Sequence, residues 1–518
     1  MKHASLPLVA LATLLSPALL RSQGSDCAAL LNFKIPDTAL TITKAEAVPT
    51  TPANTLKLFP WMDAIPVSIG PYCRVDGEME PRTGVDGKRY AIGFAVALPD
   101  NWNGRFLFQG GGGLNGSVGM PLGLNAAGDV PALARGFAVV TTDTGHKGEG
   151  FDASFFRDQE ASLNFAYLAV GKVAVVAKAI VAARYGRPAK YSYFSGCSTG
   201  GREGMLMTQR YPTYFDGVIS GAPAMRTDFS GLGDKWVAIN LNAISGKDAA
   251  GKPLPAFTNS ERKLIVGALL NQCDAKDGIG DGMIFNTQGC QFDPTQLTCQ
   301  GGKTDACLTK EQVTGLQKAF AGPKDSRGNP VYPGFPFDTG ITATAGIPGL
   351  LVSSVNPVGP PFTATEMDVD AAVLAARANP LGALTATTWT NLSTYSGHNG
   401  KLLFYHGMSD PWFSAWDTLD YYQNMAKANG GIDKTLNWSR MYLVPGMGHC
   451  SGGAAALDNF DLLTPLVDWV EKGEAPASVS AKGKAFPKRT RPLCAYPTHA
   501  QYKGQGDSED SRNFDCVQ

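Results

Sequence analysis

The chain has 518 residues, 44% of them hydrophobic, and balances 45 basic side chains against 45 acidic ones. A net charge of zero leaves no electrostatic footprint for a nucleic acid or another polyanion, and the length exceeds one ordinary core, so a large domain with an insertion, or two domains, is expected. The 60 glycines and 34 prolines follow no period, which excludes a fibre or a repeat array.

Residues 1–24 have a basic start, an apolar run from Leu6 to Leu20 and then small polar residues. That pattern reads as a secretory signal peptide, too short and too poorly flanked for a membrane span. No other segment approaches 18 uninterrupted apolar residues, so no membrane partner is expected. Ten cysteines, an even number, agree with an oxidising destination, secreted or periplasmic.

Strand-like patterns at 90–98 and 105–108 end at a glycine run, Gly110 to Gly113. A buried strand follows at 136–143 and a long helix at 161–185. YSYFSG leads as a strand into GCSTG, then come a helix in GREGMLMTQRYP and a strand in FDGVISGAPA. Strands alternating with helices predict a mostly parallel sheet covered on both faces. The rhythm breaks between 225 and 397, a Gly-, Pro-, Asn- and Thr-rich stretch with four cysteines and a helical patch at 260–270. Buried strands resume in KLLFYHGMSD (401–410) and RMYLVPGMGHC (440–450), with a last helix at 458–472. The expected organisation is therefore an α/β core in two parts, 25–224 and 398–518, interrupted by an inserted lid domain, 225–397.

GCSTG fits G-x-S-x-G, the sharp strand-to-helix turn that exposes a nucleophilic serine, here Ser198. A neutral hydroxyl needs a base within hydrogen-bond reach and a carboxylate to orient that base. Of six histidines, His3 lies in the expected signal and His499 in the tail. His146, His398 and His406 remain possible, but His449 follows a buried strand in PGMGHCSGG and completes the chain order Ser, acid, His of α/β-hydrolases. Asp410 in HGMSD fits the acid, with Asp417 and Asp420 as alternatives. Cys197 precedes Ser198 and Cys450 follows His449, so a serine–histidine pair would carry the two thiols toward disulfide distance. Acyl transfer also needs oxyanion donors: the N–H of Thr199, and one from the loop FQGGGGLNG.

The paired C-S and H-C motifs, the glycine loop and the insertion resemble the tannase and feruloyl esterase family over about Cys27 to Cys516, most specifically in GCSTGGREG, YHGMSD, LVPGMGHCSGG and LLTPLVDWVEKGEAP. The resemblance implies an α/β-hydrolase sheet with a large inserted lid domain. It implies hydrolysis of esters of aromatic acids: feruloyl or caffeoyl esters first, with galloyl esters or the terephthalate monoester of ethylene glycol as alternatives. It assigns the triad to Ser198, Asp410 and His449 and the oxyanion donors to Gly113 and Thr199. It pairs Cys27 with Cys73, Cys197 with Cys450, Cys273 with Cys290, Cys299 with Cys307 and Cys494 with Cys516. It also places a structural calcium ion in CDAKDGIGDGMI, with carboxylates from Asp274, Asp277 and Asp281 and carbonyls from Ile279 and Met283, a hard-oxygen set that suits calcium. No organic cofactor is implied. The terephthalate-monoester enzymes of the family carry a lid arginine for the substrate's free carboxylate. Here that stretch reads NPVGPPFTATEMDVD, without Arg or Lys, so a neutral aromatic ester is expected. His406, Trp412 and Phe413 flank the acid and are expected to line the acyl pocket.

Overall fold

The computed structural model describes residues 26–58, 63–249, 251, 254–342, 349–351 and 362–518. The expected signal peptide and residues 356–361 of the 356–370 stretch lie outside them. Nine strands form the main sheet: β1 (Leu40–Val48), β2 (Tyr72–Thr83), β3 (Arg89–Pro99), β4 (Arg105–Gln109), β5 (Ala138–Thr142), β6 (Tyr191–Cys197), β7 (Gly217–Gly221), β8 (Lys401–Gly407) and β9 (Ser439–Val444). Their order is β1-β2-β3-β5-β4-β6-β7-β8-β9, antiparallel from β1 to β5 and parallel from there to β9.

The parallel strands are short apolar runs because both faces are covered. Every residue of β5, β7 and β8 is buried. The helical stretch Gln159–Tyr185 covers one face, sinking Val170, Val173, Ala177 and Ile180 into the larger core cluster. Among the described residues it alone is long and apolar enough to cross a membrane, yet 61% of its most apolar window is buried inside the protein. Helix Thr199–Gln209 packs between β6 and β7, and Leu463–Lys472 contributes Leu466 and Trp469 to the second cluster.

The chain leaves the sheet after β7 and returns at β8. Between them lies a separate core cluster built by Val237, Leu241, Ile265, Leu316, Phe320 and Tyr332. Two of its helices, Asn259–Cys273 and Lys310–Ala321, begin with reciprocal caps, Thr258 with Glu261 and Thr309 with Gln312. Such boxes satisfy two of the amide donors that a helix start leaves open. All five expected disulfides form, and no free cysteine remains among the described residues.

Candidate active site

Ser198 sits between β6 and its helix with φ 65° and ψ −123°, a left-handed backbone that holds the side chain up at the end of the strand. The flanking glycines follow from close packing. A Cβ at Gly196 would lie 2.5 Å from Gly200 O, and one at Gly200 would lie 2.6 Å from Gly111 O. The nucleophile turn and the glycine loop after β4 thus press backbone against backbone. Gly113 has φ 56°, and a Cβ there would meet Gly150 O at 2.8 Å. Its carbonyl accepts the Thr199 hydroxyl, which joins the two expected oxyanion donors.

A buried carboxylate fixes that loop. Glu203, one turn into the nucleophile helix, accepts Gly111 N (2.9 Å) through one oxygen and Asn115 Nδ2 (2.7 Å) through the other. Burial pushes its pKa up, against Arg202 and the two donors. Glu203 lies inside the helical pattern of GREGMLMTQRYP, where no motif marks it. Its signal was the tripeptide Arg-Glu-Gly, two ionisable groups inside an otherwise uncharged element.

Asp410 and His449 are brought together: His449 Nδ1 lies 2.7 Å from Asp410 Oδ2. The other Asp410 oxygen accepts the amides of Trp412 (2.9 Å) and Phe413 (3.1 Å). Burial by itself would raise the Asp410 pKa, but the two imidazoles outweigh it and hold the acid well below the usual carboxylate range. His449 Nε2, on the side of the ring away from Asp410, is buried and makes no hydrogen bond among the described residues. The Cys197–Cys450 bridge, with Cα atoms 5.9 Å apart, ties the residue before Ser198 to the residue after His449.

His406 does not line the pocket as expected. Its ring is fully buried behind the acid, with Nε2 3.2 Å from Asp410 Oδ2 and 2.9 Å from Phe413 O, and Nδ1 2.9 Å from Thr418 Oγ1. On a strand buried over its whole length, nearness in sequence does not open a side chain to the cleft. Trp412 and Phe413 do flank the imidazole, with ring centres 4.8 and 5.2 Å from His449. Phe151, from a loop the sequence reading passed over, meets Trp412 edge-on at 5.9 Å and is 37% exposed. The three rings make an aromatic wall beside the candidate base.

The rival residues sit elsewhere. His146 is buried against Phe155 at 3.6 Å, and burial lowers its pKa to about 4. His398 is exposed, and Asp417 is paired with Arg226.

In the expected calcium loop, Asp274 accepts the amides of Asp281 (3.1 Å) and Gly282 (2.9 Å), and Asp277 accepts Phe285 N (2.9 Å). Asp277 Oδ1 is buried with no hydrogen-bond partner, and burial, with the Asp281 charge adding, pushes its pKa to about 7. A hard cation would satisfy that oxygen. Asp281 fits less well, because its Oδ2 pairs with Arg491 and its carbonyl accepts Arg489 at 2.7 Å. No three His, Cys, Asp or Glu side chains converge as a metal cage among the described residues, so backbone carbonyls would have to complete the set.

The family model described as Tannase and feruloyl esterase matches residues 73–367 and 360–517. The chain belongs to this family. It is 38% identical to the mono(2-hydroxyethyl) terephthalate hydrolase of Piscinibacter sakaiensis, covering 90% of this chain and 89% of that one. A probable feruloyl esterase B-2 of Aspergillus flavus is 31% identical over 88% of this chain and 89% of its own length. Among solved structures, feruloyl esterase B from Aspergillus oryzae aligns with a TM-score of 0.75 at 27% identity, covering 95% of this chain and 99% of that one. The fold is that of an α/β-hydrolase, and the protein is a carboxylic ester hydrolase.

Proposed function

We propose that this esterase is exported and cleaves esters of aromatic acids, of the feruloyl or caffeoyl type, through an acyl-enzyme on Ser198. The observation that carries the reading is the His449–Asp410 hydrogen bond of 2.7 Å, set beside the nucleophile turn by the Cys197–Cys450 bridge. His449 Nε2 takes the Ser198 proton as Oγ attacks the ester carbonyl, and Asp410 holds the tautomer that leaves Nε2 free to accept. The amides of Gly113 and Thr199 stabilise the oxyanion, a donor set in which each member is worth several kcal/mol of barrier. The imidazolium then protonates the departing alcohol, and a water activated by the same base releases the acid.

Phe151, Trp412 and Phe413 suit a planar acyl group beside the base. The relative that hydrolyses a terephthalate monoester supports a second reading, in which the acyl ring carries a free carboxylate. The lack of Arg or Lys in 356–370 favours the neutral ring. Five disulfides agree with an oxidising compartment and support export. We further propose that the loop 274–283 holds a structural calcium ion through Asp277 and Asp274, with the carbonyls of Ile279 and Met283.

An equimolar mixture of methyl ferulate, chlorogenate, methyl gallate and the terephthalate monoester, with Ser198→Ala as the blank, tests the reading. Preferential release of the cinnamoyl acids, lost in the variant, is the expected result. Preference for the terephthalate monoester would overturn the substrate assignment, and an active Ser198→Ala protein would overturn the nucleophile.

A further inference from the structure

The inserted region reaches the loops of the candidate acid and base. Its segment Tyr332–Ile341 runs against the two loops that carry Asp410 and His449. Asp338 is 1% exposed, and one of its oxygens, Oδ2, accepts from both loops: Ser409 Oγ at 2.6 Å and Gly446 N at 2.7 Å. Ser409 is the residue before Asp410, and Gly446 lies three residues before His449. Ser409 Oγ in turn accepts Gly340 N at 2.9 Å, and its own amide donates to Met447 O at 2.9 Å. The approach leaves no room for a side chain at Gly340, where a Cβ would sit 2.4 Å from Gly446 O and 2.6 Å from Ser409 Oγ. Tyr332 and Gly334 continue the contact, binding Ser414 N (3.0 Å) and Ser414 Oγ (2.6 Å) just past Phe413.

The second Asp338 oxygen, Oδ1, is buried without a partner. A buried carboxylate with one oxygen unsatisfied is costly, so the position is explained by the geometry of the oxygen that is satisfied rather than by the charge. What the position demands is one oxygen that takes two donors from two different loops.

We infer that Asp338 is a positioning residue, which sets the distance between Asp410 and His449 by holding Ser409 and Gly446 on a single oxygen. The inference rests on the reading of Asp410 and His449 as the catalytic acid and base. The inserted region is then a fixed part of the catalytic frame at this point, and any opening for substrate occurs elsewhere along it.

The test compares Asp338→Ala, Asp338→Asn and Ser409→Ala in the full chain, on methyl ferulate, with melting temperatures for each. Asp338→Ala is expected to lower kcat by about 10- to 100-fold with KM within about twofold, the size of effect that sub-ångström misplacement of catalytic groups produces. Asp338→Asn keeps an oxygen that can take both donors and places its amino group where Oδ1 has no partner. It should recover kcat to within about threefold of wild type. Ser409→Ala removes one hydroxyl and covers the case in which Asp338→Ala does not fold. It should show the same split, kcat falling and KM holding. Wild-type kcat in a folded Asp338→Ala or in Ser409→Ala overturns the inference. So does a loss carried by KM, or an Asn variant as damaged as the Ala one. Asp410→Asn, run in parallel, separates the two failures: if it retains activity, the acid assignment itself is wrong.

Discussion

Removing the Cys197–Cys450 bridge by the double change Cys197→Ala and Cys450→Ala separates its two effects. The bridge closes a loop of 253 residues, within which two other bridges span 17 and 8 residues. Loop-closure entropy depends on the logarithm of length, so the nested bridges change little, and the chain-entropy relation gives about 5.5 kcal/mol. At about 2.1 cal/mol/K of unfolding entropy per residue over the chain, that is a fall in Tm of about 5 °C. The same relation gives about 2.5 kcal/mol for the 8-residue loop of Cys299–Cys307, which makes Cys299→Ala with Cys307→Ala the control. The second effect is geometric. Cys450 has φ 65°, a left-handed backbone that costs a non-glycine residue about 1 kcal/mol. Without the bridge the His449 loop relaxes away from the nucleophile turn, and kcat should fall by at least about 10-fold. The control should keep wild-type kcat. Calorimetry without reductant and steady-state kinetics on methyl ferulate measure both. A Tm loss no larger than the control's, together with unchanged kcat, would refute the reasoning.

Glu203→Gln should lower kcat nearly as far as Glu203→Ala, by at least about 10-fold with little change in KM, because an amide would set an N–H against one of the two donors that the carboxylate accepts. Equal kcat in Gln and wild type would show that the oxyanion loop does not depend on this carboxylate. Lys178 donates to Tyr214 O and lies 4.8 Å over the Phe215 ring. Burial, only partly offset by Asp216, lowers its pKa to about 8. Between about pH 8 and the unfolded lysine value of about 10.4 the unfolded chain binds the extra proton, so stability rises with pH through that window. Lys178→Met should remove this rise and stabilise the protein at pH 7, and urea midpoints at pH 7 and 9.5 for the two proteins decide it. Calcium added to chelator-treated protein should raise Tm, by about 2.7 kcal/mol of stability at a hundredfold excess over Kd, and leave kcat unchanged. Asp277→Asn should abolish the rise, whereas a Tm indifferent to calcium would remove the ion from this loop.

The parts of the fold most legible in the sequence were those with a single physical cause. β4 to β9 are largely apolar because parallel strands are covered on both faces, Ser198 stands in G-x-S-x-G, and His449 follows a buried strand, with a cysteine beside each. The antiparallel strands β1 and β2 stayed hidden. One face of each is solvated, so their sequences mix charge with apolar residues in alternation. Helix Thr227–Ala243 was masked by Gly231 and Gly233, which look like breaks in sequence. A Cβ at Gly233 would strike the Tyr332 ring at 2.4 Å, so packing from outside the helix explains that glycine. Phe151 comes from a loop with no periodicity, and only its edge-on contact with Trp412 marks it.

The contacts that fix the site divide into two kinds, and the division bears on how the enzyme can change. Cys197–Cys450, Glu203 with Gly111 and Asn115, and Asp338 with Ser409 and Gly446 are bridges or short hydrogen bonds at buried groups, and each joins segments far apart in sequence. Directional bonds of this kind set the positions of atoms, so their loss is felt in the transition state, where a small displacement weakens a developing bond more than it weakens binding. The aromatic wall is different. Trp412 and Phe413 meet His449, and Phe151 meets Trp412, through ring contacts, which tolerate changes of shape at modest cost. Phe151 is also partly exposed and lies outside the sheet. A family that keeps its reaction while exchanging one aromatic acid for another can therefore alter the wall residue by residue, whereas the carboxylates and the bridge behind the candidate triad leave no such freedom.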